Sequence, residues 1–364
     1  MFRFSSLRII QAISKIVLVC LIVMALVVIF LPESRFSIVL RRNFEKIWPE
    51  EWRTVHEEHG GKLTVYFAPC KPSDTNGIDD VLVRFIDSAE DEIKAAIYDL
   101  NLSNVTSALL NASNRGVNVT ILYDATNESH EIKKLARAGI KLVSRPAGGG
   151  LMHNKFVIVD GERVWTGSMN FTRNGVYKNN NNGIIINSKK IAANYSTEFD
   201  EMYDGFFGPV SPENTLYTKV FIDDTEVENY FGPEDGVEQE ILSELRGASE
   251  EIVFMAFAFT SVPIAELMAA KVENGVEVRG VFEKGQRSRH ARYDYLKKAG
   301  AEVRWDTNRY SMHHKVIIVD RSVVITGSYN FSKNANTRND ENCLIIHSKE
   351  IAEAFLEEFE RVRQ

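Results

Sequence analysis

Cysteine is scarce in this 364-residue chain: Cys20, Cys70 and Cys343 are the only three, and none stands in a Cys-x-x-Cys pair or at a zinc-ligand spacing with histidine. A disulfide framework, a structural zinc site and thiol catalysis are therefore excluded as organising features. Basic excess is lacking as well. The net charge is −7 and the pI near 5.7, which runs against the phosphate neutralisation that tight nucleic-acid binding needs, although a local basic cleft is compatible with that average. No long disordered or collagen-like stretch occurs, and 44% hydrophobic with 26% charged residues is a globular composition. The run Gly148-Gly149-Gly150 is followed by no Gly-Lys-Ser/Thr, so it is a flexible loop and not a phosphate-binding one.

What the chain does have begins at its N-terminus. Arg3, Arg8 and Lys15 precede an unbroken apolar run from Ile16 to Leu31, which reaches membrane-spanning length when counted from Ile9. No small-x-small cleavage pattern precedes Leu31-Pro32-Glu33. The expectation is a retained signal anchor over residues 1–33, a charged stalk over 34–61 and a catalytic part outside the cytoplasm. Trp48 and Trp52 in the stalk suit either headgroup contact or capping of the first domain.

After Lys62 the sequence repeats itself, with one half over about 62–208 and the other over about 217–364. Each half opens on a short strand ending in an aromatic-x-Pro turn, Tyr66-Phe67-Ala68-Pro69 and Tyr230-Phe231-Gly232-Pro233. Apolar runs of strand length follow at Ile93–Tyr98 and Ile252–Phe259, then at Val117–Tyr123 and Val276–Phe282, with helical stretches between them. Ala138-Gly139 and Ala299-Gly300 end the next helices and lead into further strands. The pattern is βαβα twice over.

The repeat is sharpest where residues 153–192 align without a gap on 313–352, with about half of the positions identical. Identity falls on polar residues as well as apolar ones. Met152-His153-Asn154-Lys155 leads into Phe156-Val157-Ile158-Val159-Asp160 and then Gly167-Ser168-Met169-Asn170; its twin is Met312-His313-His314-Lys315 through Asp320 to Gly327-Ser328-Tyr329-Asn330. On a strand, His153 and Lys155 share one face, as do His313 and Lys315. The Gly-Ser-x-Asn turn returns a hydroxyl and an amide beside them. Cations and hydrogen-bond donors so placed suit a phosphodiester, whose transition state spreads negative charge over its oxygens. Two histidines allow a double displacement, one as nucleophile and one as acid and then base.

Both segments resemble the HKD motif of the phospholipase D superfamily, and the matched architecture covers nearly everything after Lys62. The resemblance implies an α/β fold of two pseudo-twofold-related domains, 62–208 and 217–364, one active site at their junction, a covalent phosphohistidine and neither cofactor nor metal. It assigns His153, Lys155, Asp160, His313, Lys315 and Asp320 to the catalytic set, with Ser168, Asn170, Ser328 and Asn330 stabilising the phosphate. His153 is the expected nucleophile and His313 the acid and base, an order that the near-symmetry leaves open; Asp160 and Asp320, at strand ends, are expected to fix structure. Members of this kind often carry a histidine-orienting carboxylate after the Asn turn. Glu341 takes that place for His313, whereas Asn181 stands opposite it, leaving His153 to the amides of Asn179 to Asn182 or to another acid such as Asp99.

The expected substrate is a phospholipid of the membrane, hydrolysed or transferred. Nucleic acid is the alternative, because Gly327 to Phe331 and Asn339 to Asn342 also resemble compact endonucleases of the superfamily. A non-catalytic scaffold predicts decay in one motif, and neither is decayed. The exposed-looking cluster Lys284, Arg287, Arg289, His290 and Arg292 suits phosphate contact or a solvated helix start. Nothing in the pattern specifies an oligomeric state.

Overall fold

Each half of the repeat builds the same mixed sheet, because its strands carry two kinds of hydrophobic pattern. In a computed structural model that describes residues 56–58, 62–72 and 76–364, a three-residue strand β1 (His56–Glu58) comes first. The first half then supplies β2 (Lys62–Ala68), β3 (Glu92–Ile97), β4 (Asn118–Asp124), β5 (Lys141–Arg145), β6 (Lys155–Val159), β7 (Arg163–Gly167) and β8 (Asn181–Asn187). They form a seven-stranded sheet in the order β2-β8-β7-β6-β3-β4-β5. The second half supplies β9 (Lys219–Ile222), β10 (Thr225–Gly232), β11 (Glu251–Ala256), β12 (Glu277–Phe282), β13 (Glu302–Trp305), β14 (Lys315–Val319), β15 (Val323–Gly327) and β16 (Glu341–His347). Its sheet keeps the same order and adds two strands at one edge, β1-β9-β10-β16-β15-β14-β11-β12-β13.

In each sheet the βαβα part gives three parallel strands, β3-β4-β5 or β11-β12-β13, joined by helical crossovers. The motif part is an antiparallel meander set beside them, with β6 pairing β3 and β14 pairing β11. Strands buried on both faces read as continuous apolar runs, and the two motif strands show why. Phe156 and Ile158 of β6 and Val316 and Ile318 of β14 enter one core shared by both halves, together with Tyr195, Phe199, Phe355 and Phe359 from the helices Lys189–Tyr203 and Lys349–Arg363. The alternate residues Val157 and Val159 enter an outer core of the first half, and Ile317 and Val319 that of the second. Residues 56–212 and 217–364 accordingly form a single compact unit.

Two expectations are corrected here. The apolar run 16–31, the rest of residues 1–33, and Trp48 and Trp52 lie outside the described residues, and among the described residues no helix is long and apolar enough to cross a membrane. A single-pass anchored protein with an N-terminal transmembrane helix, and the membrane location built on it, are therefore not supported. Within the stretch read as a stalk, residues 56–58 instead form β1, paired in parallel with β9 of the second sheet.

Candidate active site at the junction of the two halves

The paired motif strands place His153 and His313 just before β6 and β14, where the backbone of each half bonds to that of the other. The His153 amide donates to the carbonyl of Asp340, and the His313 amide donates to that of Asn180, both at 2.9 Å. One residue earlier, Asp124 at the end of β4 accepts from the Met152 amide (2.8 Å), and Glu283 just after β12 accepts from that of Met312 (2.5 Å). These contacts fix the backbone of each motif before its side chains are considered.

The side chains are then exchanged across the junction. His153 Nδ1 donates to Glu341 Oε2 at 2.7 Å, and Ser328 Oγ donates to the same oxygen at 2.6 Å. His313 Nδ1 faces only acceptors, Asn181 Oδ1 at 2.9 Å and the Ser168 carbonyl at 3.1 Å. The Asn181 amide is oriented by its own Nδ2, which donates to the Gly175 carbonyl (2.9 Å), so its oxygen must face the ring. In both histidines Nδ1 therefore carries hydrogen, and among the described residues Nε2 makes no hydrogen bond. The sequence expectation is corrected on this point: Glu341 serves His153 of the other half, and His313 is the histidine with a neutral partner. Among the described residues Asp99 makes no hydrogen bond or ion pair with His153; burial raises its carboxyl, and the charge of Lys155 opposes this.

The lysines line the same pocket. Lys155 Nζ donates to the His153 carbonyl, and Lys315 Nζ to that of His313 at 2.8 Å. Each ammonium lies over an aromatic ring, Tyr98 at 4.8 Å and Phe257 at 4.6 Å, and the same rings meet His153 and His313 edge-on. Sequence reading missed these rings, although the repeat places them at equivalent ends of β3 and β11. Burial pushes the Lys155 ammonium down to about 7, against the pull of Glu341, and takes Lys315 well below its ordinary value with help from the charge of Lys155. Both imidazoles are lowered by burial; Glu341 opposes this at His153, whereas Lys315, Lys155 and His153 deepen it at His313. Burial raises the Glu341 carboxyl, but His153, Lys155 and Ser328 outweigh it and hold the group below its usual range.

The remaining motif residues divide. Asn170 and Asn330 have buried side-chain oxygens with no partner, and among the described residues their side chains make no hydrogen bond, so they remain available to a ligand. The hydroxyls of Ser168 and Ser328, expected as phosphate donors, are engaged instead in positioning Asn181 and Glu341. Gly167 precedes Ser168 at φ +137°, and a Cβ there would stand 2.6 Å from the Asn182 carbonyl oxygen, so the turn admits only glycine. Asp160 and Asp320 lie at the far ends of β6 and β14 and are removed from the catalytic set. Asp160 accepts from the amides of Glu90, Asp91 and Glu92, and Asp320 from those of Ser249, Glu250 and Glu251. Burial raises both carboxyls, and the backbone donors more than reverse it.

Among the described residues, clusters with metal-ligand geometry lie elsewhere, at Glu226, Glu228 and His347 and at Glu198, Glu201 and Glu234. The first is answered by Lys219 at 2.6 Å from Glu226. In the second, burial and mutual repulsion push Glu198 and Glu234 well up. After β12 the basic stretch begins with a 3-10 turn over Lys284–Gln286; Arg287, Arg289 and His290 are exposed, Lys284 and Arg292 are half-buried, and Arg287 lies over the Trp305 ring at 4.7 Å.

Two His-Lys strands meeting across a duplicated α/β frame define a class of protein, and the comparisons agree with it. The chain belongs to the phospholipase D superfamily: the family described as cardiolipin synthase, PLD-like domain, matches residues 82–203 and 241–363. Phospholipase D of Rickettsia prowazekii is 36% identical over 124 residues, 33% of this chain and 59% of that protein. The human mitochondrial cardiolipin hydrolase is 37% identical over 123 residues, 34% of this chain and 49% of that protein. The chain thus spans about half the length of these curated relatives. Phosphatidylserine synthase of Haemophilus influenzae shares the fold, with a TM-score of 0.64 over 82% of this chain and 86% of that one, at 13% identity.

Proposed function

We propose that this protein is a phosphodiesterase that cleaves phospholipids through a phosphohistidine at His153. The observation that carries the reading is the unequal pair of Nδ1 partners, Glu341 on His153 and the neutral Asn181 on His313. Attack by His153 Nε2 on phosphorus leaves the imidazole cationic, and a buried carboxylate at Nδ1 stabilises that charge. The bond from phosphorus to the alcohol oxygen breaks as the N–P bond forms, and the departing oxygen takes the Nε2 proton of His313, which enters the step as the imidazolium that a bound phosphate anion favours. Water then attacks phosphorus, gives its proton to His313, and the N–P bond breaks to restore His153 and release the phosphate monoester.

Lys155, Lys315, Asn170 and Asn330 hold the non-bridging oxygens in this scheme. The two ammoniums disfavour one another, and a phosphate anion relieves that repulsion, so charge is assembled where the transition state needs it. The lipid assignment is supported by relatives named for phospholipid and cardiolipin cleavage.

The test uses the purified full chain with bis(p-nitrophenyl) phosphate, phospholipid vesicles and single-stranded DNA. His313→Asn should give a stoichiometric burst of nitrophenol and then stall, with a phosphohistidine visible by phosphorus NMR, because nitrophenolate leaves without a proton. His153→Asn should give no burst. Full turnover by either variant would sink the shared site, and cleavage of DNA with lipid untouched would transfer the chemistry to nucleic acid.

A further inference from the structure

A cavity of about 520 Å³ opens beside the site, and Arg173, Tyr177, Lys178, Asn101 and Tyr310 line it. Its cations flank site residues in the chain: Arg173 lies three positions after Asn170, and Lys178 three before Asn181. Tyr310 lies three before His313. The walls are fixed by Asn308 Nδ2 donating to the Lys178 carbonyl (3.0 Å) and by the Arg173 amide donating to Asn101 Oδ1 (2.8 Å). The Lys178 ammonium stands 4.8 Å from the Tyr310 ring centre, and the Arg173 guanidinium 5.9 Å from that of Tyr177. Among the described residues neither cation pairs with a carboxylate. Elsewhere in this acidic chain, Lys94, Arg145, Lys219, Arg279 and Arg321 all do. Tyrosine faces hold the two cations in place without neutralising them.

The duplicated position on the other flank is filled. Gly150 is the counterpart of Tyr310, and Arg338 of Lys178. A Cβ on Gly150 would lie 2.2 Å from the Arg338 carbonyl oxygen, and Gly208 packs on the same carbonyl. Arg145 reaches that carbonyl (2.9 Å) and pairs with the buried carboxylate of Asp340. A pseudo-symmetric site therefore has one closed flank, beside His153, and one open cationic flank, beside His313.

We propose that the open flank is a subsite for a second phosphate, carried by the alcohol that leaves from a phospholipid. The proposal rests on the phosphodiesterase reading above, in which His313 protonates that alcohol. A phosphomonoester dianion takes both cations and the amide of Asn101, whereas an acyl chain would cover the two cations and leave their charge unanswered.

The experiment compares phosphatidylglycerol phosphate with phosphatidylglycerol, which lacks the second phosphate, in mixed micelles with the full chain. Wild type should favour the former in kcat/KM by about 10–100-fold, the worth of one or two charge-assisted contacts. In Arg173→Gln/Lys178→Gln the ratio should fall to near one, and in Lys178→Glu below one. Both positions are at the surface, and unchanged melting curves verify folding. A wild-type ratio near one, or a ratio that survives the double substitution, overturns the subsite. DNA cleavage that depends on Arg173 and Lys178 while both lipids stay intact overturns it too. Bis(p-nitrophenyl) phosphate separates the two failures: if wild type leaves it uncleaved, the parent reading fails rather than the subsite.

Discussion

Replacing Glu341 with Gln tests the crossed pairing directly. The carboxylate is fully buried and accepts from His153 Nδ1 at 2.7 Å, Ser328 Oγ at 2.6 Å and Asn339 Nδ2 at 3.1 Å. Glutamine keeps the shape and removes the charge that, in the proposed mechanism, answers the imidazolium formed on attack. A hydrogen bond to a charged group is worth about 1.5–3 kcal/mol, and a wrong His153 tautomer adds to the loss. A total near 3 kcal/mol corresponds to roughly 150-fold in the rate of the first chemical step. The assay is the stopped-flow burst of nitrophenol from bis(p-nitrophenyl) phosphate, which reports attack alone because the leaving group needs no proton. A burst within about threefold of wild type, from a variant that melts normally, would refute the reasoning, since that is under 1 kcal/mol.

Asn181→Asp places a carboxylate on His313 and should raise its lowered pKa, so the basic limb of the pH–rate profile moves to higher pH. Asp160→Asn and Asp320→Asn should each cost about 1–3 kcal/mol of stability in urea melts, while activity per folded molecule is retained. Both carboxyls are depressed in the fold, so their contribution is present above the unfolded value near 4 and is lost as pH falls through the folded value. Arg145→Met strands the Asp340 carboxyl, which burial already pushes up to about 7, and should lower stability by about 3–5 kcal/mol, partly restored by Asp340→Asn. Orthovanadate binding at about pH 8 should take up protons, because burial pushes Lys155 down to about 7 and an anion raises it; calorimetry in buffers of different ionisation enthalpy reads the uptake.

Much of the frame is legible in the sequence because strand periodicity and duplication are local signals. The His-Lys spacing places both side chains at the start of β6 and β14, and the alternation along Phe156 to Val159 divides two cores. What stayed hidden is relational. A gapless alignment shows that Glu341 and Asn181 are equivalent positions, but not that each is presented to the histidine of the opposite half. The serines look like phosphate donors until Asn181 and Glu341 are seen to occupy their hydroxyls. Tyr98 and Phe257 read as the ends of apolar strands, since nothing in their neighbours announces a lysine and a histidine. β1 looks like part of a charged stalk in the sequence because its edge pairing with β9 is made across more than a hundred residues of chain.

The exchange of partners across the junction binds the history of the two halves together. A substitution at position 341 is felt by the histidine of the first half, and one at position 181 by that of the second, so neither copy can drift alone. Two first halves joined to each other would bring asparagine to both histidines, and two second halves would bring glutamate to both. Only the joined, unlike halves give one histidine each kind of neighbour, so the division of labour between the two rings depends on the halves being different.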